Sequence, residues 1–382
     1  MKDRIADIIA EYDAQGIHRT GTDVDIASAA WLAERVEALG LEVKRDRFDF
    51  ERVDLGVNRI ETAGLAVDGV PLYDAAFTAS DGVAGRLGPV GSDAEIGVAL
   101  VSSRGGGEAH RRVDEAREAK GTHEALVLVT DTSFPPGGVA IINAERFTAP
   151  LGPPALQVPN DEWPALEAAM ERGERARVTV DNRYVPAEGI NIHGRVAGRN
   201  PDLAPVVVMT PRSGWWSCAS ERGGGIAVWL EILRDLAANQ PERDVIFTAN
   251  TGHELGHTGL DHFLAARSGL VQGAHMWVHL GANFVASQGG APRLQYSDDD
   301  VRAAFSRCLE ADVAEPFEAP AGTRPGGESR NIFDGGGRFV SIVGGNALFH
   351  HPDDTFPSAV DLDAAAGWAK VFVRATRAFA GG

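Results

Sequence analysis

The sequence predicts an α/β protein: a mainly parallel mixed sheet sandwiched by helices, with an inserted β-rich domain. Three observations predict it. Beyond residue 190, short apolar runs such as Pro205-Val-Val-Val-Met-Thr210 alternate with amphipathic segments, the pattern of strands buried on both faces and joined by helices. From about residue 52 to 183, glycine and proline turns separate many short β-type runs, and there is little helix. A length of 382 residues favours two domains, one inserted in the other. The expected division is 1–51 and 184–382 for the main domain, with 52–183 between them.

The elements follow in order. Residues 3–14 place Ile5, Ile8, Ile9 and Tyr12 on one helical face, and a second helix runs from about Asp25 to Leu39, with Gly40 as its C-terminal cap. A strand is expected at Glu42–Phe48. In the insert the clearest strands are Gly97–Ser102 and Ala125–Thr130, joined by a helix from Arg111 to Lys120. The main domain then reads as strands at Pro205–Thr210, Val245–Ala249, Ala274–Leu280 and Phe339–Val343. Helices are expected at Gly225–Leu236, Leu260–Ala266 and Leu362–Phe379. There is no internal repeat and no low-complexity tract.

Composition narrows the function. A net charge of −18 argues against nucleic acid as a partner, since phosphate binding needs a positive face. No apolar run is long enough to span a bilayer, and Met1-Lys-Asp-Arg-Ile-Ala-Asp lacks the apolar core of a secretory signal, so the expected address is cytoplasmic. Cys218 and Cys308, the only cysteines, exclude a disulfide framework or a thiolate zinc cage. A small-molecule substrate is expected, and self-association is compatible with the sequence.

Two stretches carry chemistry: Thr251-Gly-His253-Glu254-Leu-Gly-His257 and His350-His351-Pro-Asp-Asp354-Thr355. The first contains His-Glu-x-x-His, which on a helix presents two imidazoles to zinc. Gly252, Gly256 and Gly259 argue against a helix, each costing about 1 kcal/mol relative to alanine. His253 and Glu254 are therefore read as loop residues just beyond a strand. In open α/β sheets, ligands gather beyond the carboxyl ends of the strands. That rule collects Arg212, Trp215, Trp216 and Glu221 after Thr210, His253 and Glu254 after Ala249, His279 at its strand end, and His351 beyond Val343. His257 and His350 read as supporting neighbours, and His262 and His275 as ordinary helix and strand residues.

With these residues in place, the chain resembles the M28 family of metallopeptidases, the zinc aminopeptidase and carboxypeptidase group, with an inserted protease-associated domain. The resemblance rests on Arg19-Thr20-Gly21 between the first two helices, the β-rich insert, Thr251–Gly259 in place of the family's Glu-Glu loop, and His351-Pro-Asp-Asp-Thr355 in place of its final histidine motif. It implies a zinc-exopeptidase-like fold. The site departs from the family's two-zinc pattern: Thr210-Pro211-Arg212 stands where the family has His-x-Asp. Glu221 stands near the bridging aspartate, His253 replaces the catalytic glutamate, and His279 lies at or beside the second aspartate. The resemblance implies metal ligands drawn from Glu254, His351, His253, His279 and Glu221. It also places His18 near the active site, as a substrate contact.

Charge favours a single ion. Two adjacent divalent ions need several carboxylates, and this set offers Glu221 and Glu254. The Arg212 guanidinium adds repulsion of roughly 4 kcal/mol per unit charge at 4 Å and an effective dielectric of 20. One divalent metal per chain is expected, zinc first, with manganese or iron compatible with nitrogen and oxygen ligands. The expected chemistry is hydrolysis of a small amide or other C–N bond by activated water, with His253, Glu221 or Asp354 as base. Asp354 is equally a candidate for orienting the metal histidine. Arg212, Arg222 and Arg330 suit an anionic group, and Trp215 and Trp216 suit an aromatic wall or packing against the insert. An anionic or aromatic non-peptide amide is therefore expected. The alternatives are a lyase, dehydratase or isomerase on the same scaffold, an aminopeptidase, and an inactive ligand-binding homologue.

Overall fold

A computed structural model describes residues 1–118, 123–309 and 313–381. Its spine is a run of largely buried parallel strands. Val206–Pro211 pairs in parallel with Val245–Asn250 on one side and with Met276–Leu280 on the other, and Met276–Leu280 pairs in parallel with Phe339–Val343. Arg293–Tyr296 then adds antiparallel to Phe339–Val343, making the sheet mixed. Helices Lys2–Asp13, Gly224–Ala238 and Leu362–Phe379 pack on one face through Ile5, Ile9, Trp229, Trp368 and Phe372. The opposite face is filled by Leu260, Phe263, Trp277 and Ile332. The mixed α/β class expected from the sequence is what is observed.

One strand is far longer than expected and a second long strand was not expected. Val43–Glu61 and Arg175–Val196 pair antiparallel over most of their length. The carboxyl end of Arg175–Val196 pairs with Val245–Ala249, while its beginning pairs with Val83–Arg86. The β-rich region thus grows out of the main sheet, with Val43–Glu61 running through position 52 and Arg175–Val196 through position 183. Beyond them, Ile96–Val101, Ala125–Thr130 and Ala155–Val158 form a parallel group. The helix expected over 111–120 is observed as Gly107–Glu118, and Lys120 lies outside the described residues.

The segment Pro135–Glu145 turns back from this region onto the carboxyl edge of the main sheet. The Ile141 amide donates to the His350 carbonyl, and the Ala144 amide donates to the Glu254 carbonyl. The Trp215 and Trp216 indoles donate to Asn143 Oδ1 and the Val139 carbonyl. No helix among the described residues is long and apolar enough to cross a membrane.

Candidate metal centre

After Asn250 the chain enters one 3-10 turn, His253–Leu255, flanked by Gly252 at φ +78° and Gly256 at φ +73°. The next helix starts only at Thr258, so His253 and His257 do not stand one helical turn apart. They lie side by side instead, with ring centroids 4.8 Å apart. Both line a cavity of about 590 Å³, together with His279, Asn143, Arg104 and Arg330. Among the described residues, four non-glycine residues adopt left-handed φ: Cys218, His257, Asn283 and His350. All four lie in loops at this edge, where such backbone costs about 1–3 kcal/mol each and marks places where position outweighs local preference.

His279 accompanies His253. It is fully buried, its Nδ1 lies 2.8 Å from Ser341 Oγ, and its Nε2 has no hydrogen-bond partner. Burial, His257 and Arg222 hold its pKa at about 3, so the ring is neutral and Nε2 is left to serve as a ligand when Nδ1 carries the proton. Ser341→Ala is expected to weaken metal affinity about 10–100-fold by freeing that ring, as a competition titration against a chromophoric chelator would read. Unchanged affinity would contradict the role of Ser341.

Glu221 belongs to a second, adjoining cluster. It follows Cys218 in the tight turn Ala219–Gly223, and one of its oxygens lies 2.6 Å from the guanidinium of Arg222 and 3.3 Å from His350 Nε2. Burial works to raise the Glu221 pKa, but Arg222 and His350 overcome it and hold the carboxyl at about 2. The His350 Nδ1 lies 2.7 Å from the Ile141 carbonyl, which fixes Nδ1 as donor and turns Nε2 toward Glu221.

Several expectations are corrected. Glu254 and His351 do not face a shared point: Thr20 and Ser213 donate to the Glu254 carboxylate at 2.6–3.0 Å, while His351 turns its Nδ1 to Asp353 and its Nε2 toward Gly138. The inward imidazole of the pair is His350. Asp354 accepts from Ser220 and from the Glu221 amide, anchoring that turn, and is not placed as a base. Arg212 is fully buried on Asp25 and the Ile190 carbonyl, so it is a structural ion pair and not a substrate contact. His18 is stacked on Tyr12 at 3.8 Å inside the core. Trp215 and Trp216 line a different hollow of about 410 Å³ with Tyr73 and Ile17, away from the histidines. Arg330 does line the histidine cavity, paired with Glu145 at 2.8 Å.

The sequence reading missed Glu328. It is fully buried after Gly326-Gly327, its carboxyl is met by the Asn250 side chain and by the charge of Arg222, and one oxygen lies 3.6 Å from His253 Nδ1. Burial pushes its pKa up to about 8. A glycine doublet delivering one acid into an interior was the available signal.

Stability should therefore peak near neutrality in the presence of chelator. His18, His257 and His279 sit at about 3, 4 and 3, so between those values and 6.5 the unfolded chain binds protons that the folded chain refuses. Stability accordingly falls as pH drops. Glu328 and Asp354 sit at about 8 and 7, so the folded chain keeps protons that the unfolded chain releases, and stability falls as pH rises toward 8. Thermal unfolding against pH should show a maximum at about pH 6–7. Stability still rising at pH 9 would contradict this.

Two donor pairs at this edge have a spacing that can be set against a metal site. Two donors bound to one zinc at 2.0–2.1 Å in tetrahedral geometry lie about 3.3–3.5 Å apart. Both Glu221–His350 at 3.3 Å and His253–Glu328 at 3.6 Å are close to that spacing. Among the described residues, no three His, Cys, Asp or Glu side chains close around one point. At the first pair, Arg222 already supplies a cation within 2.6 Å of Glu221. The same guanidinium also acts on the second pair and on His279, disfavouring the charged form of His253 and His279 and favouring that of Glu328.

Comparison with known proteins agrees with this architecture. Residues 205–329 match the model of peptidase family M28. A vacuolar membrane protease of Candida glabrata is 26% identical over 200 residues, covering 47% of this chain. The match spans only 19% of that protein. A zinc aminopeptidase of Bacillus subtilis superposes with TM-score 0.75 at 16% identity, covering 98% of this chain and 94% of its own. A peptidase M28 precursor of Shewanella amazonensis gives 0.77 at 14%, with 99% and 93% covered. At these identities the solved structures speak for the fold.

Proposed function

We propose that this chain, which matches the M28 peptidase model over residues 205–329, is a metallohydrolase that cleaves a C–N bond using one divalent ion held at the His253–His279 end of the cavity. The observation that carries the proposal is the set of buried donor atoms without hydrogen bonds at that end, namely His253 Nδ1 and His279 Nε2. Buried polar atoms are almost always paired, so an unpaired cluster calls for an ion or ordered water. An ion bound there would polarise a carbonyl and acidify a water. The chain's own residues do the rest. His257, whose Nδ1 lies 2.8 Å from Asn331 Oδ1, keeps its Nε2 as a proton acceptor beside His253. Arg104, Arg293 and Arg330 border the same cavity, against one acid, Glu145. In a chain of net charge −18 that local excess of guanidinium supports a substrate ending in a carboxylate or similar anion.

The test is a panel of amides matched for leaving group, with and without a terminal carboxylate, assayed in oxygen-18 water. Hydrolysis of the anionic members, oxygen-18 in the acid product and reversible loss of activity with chelator are expected. Equal turnover of unsubstituted leucine or alanine anilides would overturn the substrate class. Product without solvent oxygen would favour elimination and overturn hydrolysis.

A further inference from the structure

We infer that the hollow bordered by the link between the first two helices, the β-rich region and the Trp215-Trp216 loop binds a small aromatic carboxylate, its ring against the tryptophans and its anion on Arg19. The site lies apart from the histidine cavity and does not depend on the ion proposed there. The hollow measures about 410 Å³, within the roughly 300–1,000 Å³ of small-molecule pockets. Its wall is aromatic: Tyr73 and Trp215 are buried with ring centroids 4.5 Å apart, and Trp216 and Ile141 line the same space. Both indole N–H groups are committed to the overlying segment, at Asn143 Oδ1 and the Val139 carbonyl, so the tryptophans offer the hollow carbon surface. Ile17 and Leu55 remain 43% and 40% exposed at its border, an apolar rim that a ligand would cover.

Charge selects the ligand. Arg19 borders the hollow, donates to the Tyr73 hydroxyl at 2.6 Å, and has no carboxylate at ion-pair distance among the described residues. In a chain of 54 acids and 36 arginines and lysines, a half-buried guanidinium left without an acid is a place for an anion. Arg52 adds a second positive charge, since it reaches Asp54 only at 3.4 Å while Asp54 is held by Arg183 at 2.7 Å. Among the residues lining the hollow the one acid is Asp23, which is exposed to solvent. Backbone contacts on both sides of Arg19 fix its place: the His18 amide donates to the Trp216 carbonyl, the Gly214 amide to the His18 carbonyl, and the Thr22 hydroxyl to the Arg19 carbonyl. A carboxylate matches the guanidinium fork and a flat ring matches indole faces, so together they specify an aromatic acid.

The experiment titrates 2-naphthoate, its uncharged alcohol 2-naphthalenemethanol and acetate into wild type, Arg19→Gln, Leu55→Glu and Arg330→Gln by isothermal titration calorimetry. Wild type is expected to bind 2-naphthoate at least about 10-fold more tightly than the alcohol or acetate. Arg19→Gln, which keeps a donor for Tyr73, is expected to lose about 10–100-fold, the worth of one charge-assisted hydrogen bond. Leu55→Glu alters an exposed residue, spares the fold and is expected to weaken binding by placing negative charge at the rim. Arg330→Gln, in the histidine cavity, should bind as wild type does. Loss of binding in Arg330→Gln with retention in Arg19→Gln would put the anion in the histidine cavity and overturn the inference. It would equally be overturned by no binding to wild type, by equal binding of acid and alcohol, or by weak binding unchanged in all three variants.

Discussion

Arg212→Ala is expected to destabilise the fold by about 3–5 kcal/mol, the cost of leaving a buried charge without its partner. The guanidinium lies at 0% exposure, bonded to Asp25 Oδ1 at 2.7 Å and to the Ile190 carbonyl at 2.6 Å. Asp25 in turn receives the Gly21 amide and the Thr251 hydroxyl, so one ion pair joins the second helix, the long Arg175–Val196 strand and the loop that carries His253. Denaturant unfolding of the variant is the measurement. A change under about 0.5 kcal/mol together with a raised KM for anionic substrates would contradict the structural role and restore Arg212 to substrate binding.

His253→Ala is expected to lower kcat/KM roughly 10³-fold with little loss of stability. Several kcal/mol of transition-state charge stabilisation go with the ion, and about 4 kcal/mol corresponds to that factor. The ring contributes little to folding in return, because it is buried with an unpaired Nδ1 and its charged form is penalised first by burial and then by Arg222. His351→Ala serves as the contrasting variant. Its imidazole rests near Gly138 of the overlying segment, so the variant should keep its metal. Loss of metal in His351→Ala with retention in His253→Ala would reverse the assignment.

The buried strands were legible because they are continuous apolar runs: Phe339–Val343 in the main sheet and Ala125–Thr130 in the β-rich region fall at the expected residues, as does the final helix. Val43–Glu61 was cut short in the reading because, past Phe48, it alternates charged with apolar residues, as a strand with one solvated face does. Arg293–Tyr296 has only four residues and little apolar signal.

The site was half legible for a similar reason. Strand ends bring Glu221, His253 and His279 to one edge, and a rule about sheets finds them. Choosing between His350 and His351 requires the left-handed φ of His350 and the Ile141 carbonyl from a segment 209 residues away. Arg212 misled because its partner, Asp25, lies 187 residues away, and an arginine after a strand reads as facing a ligand. Glu328 escaped because an isolated acid in a glycine-rich loop reads as solvated, and only the fold shows that it is buried next to His253.

The most direct test of a single-ion centre is metal content per chain, measured by elemental mass spectrometry on protein refolded or grown in excess zinc and desalted. One equivalent is predicted, because Arg222 already supplies the positive charge beside Glu221 and His350. Two equivalents, both lost in His253→Ala, would show that the guanidinium yields its place and would contradict the account.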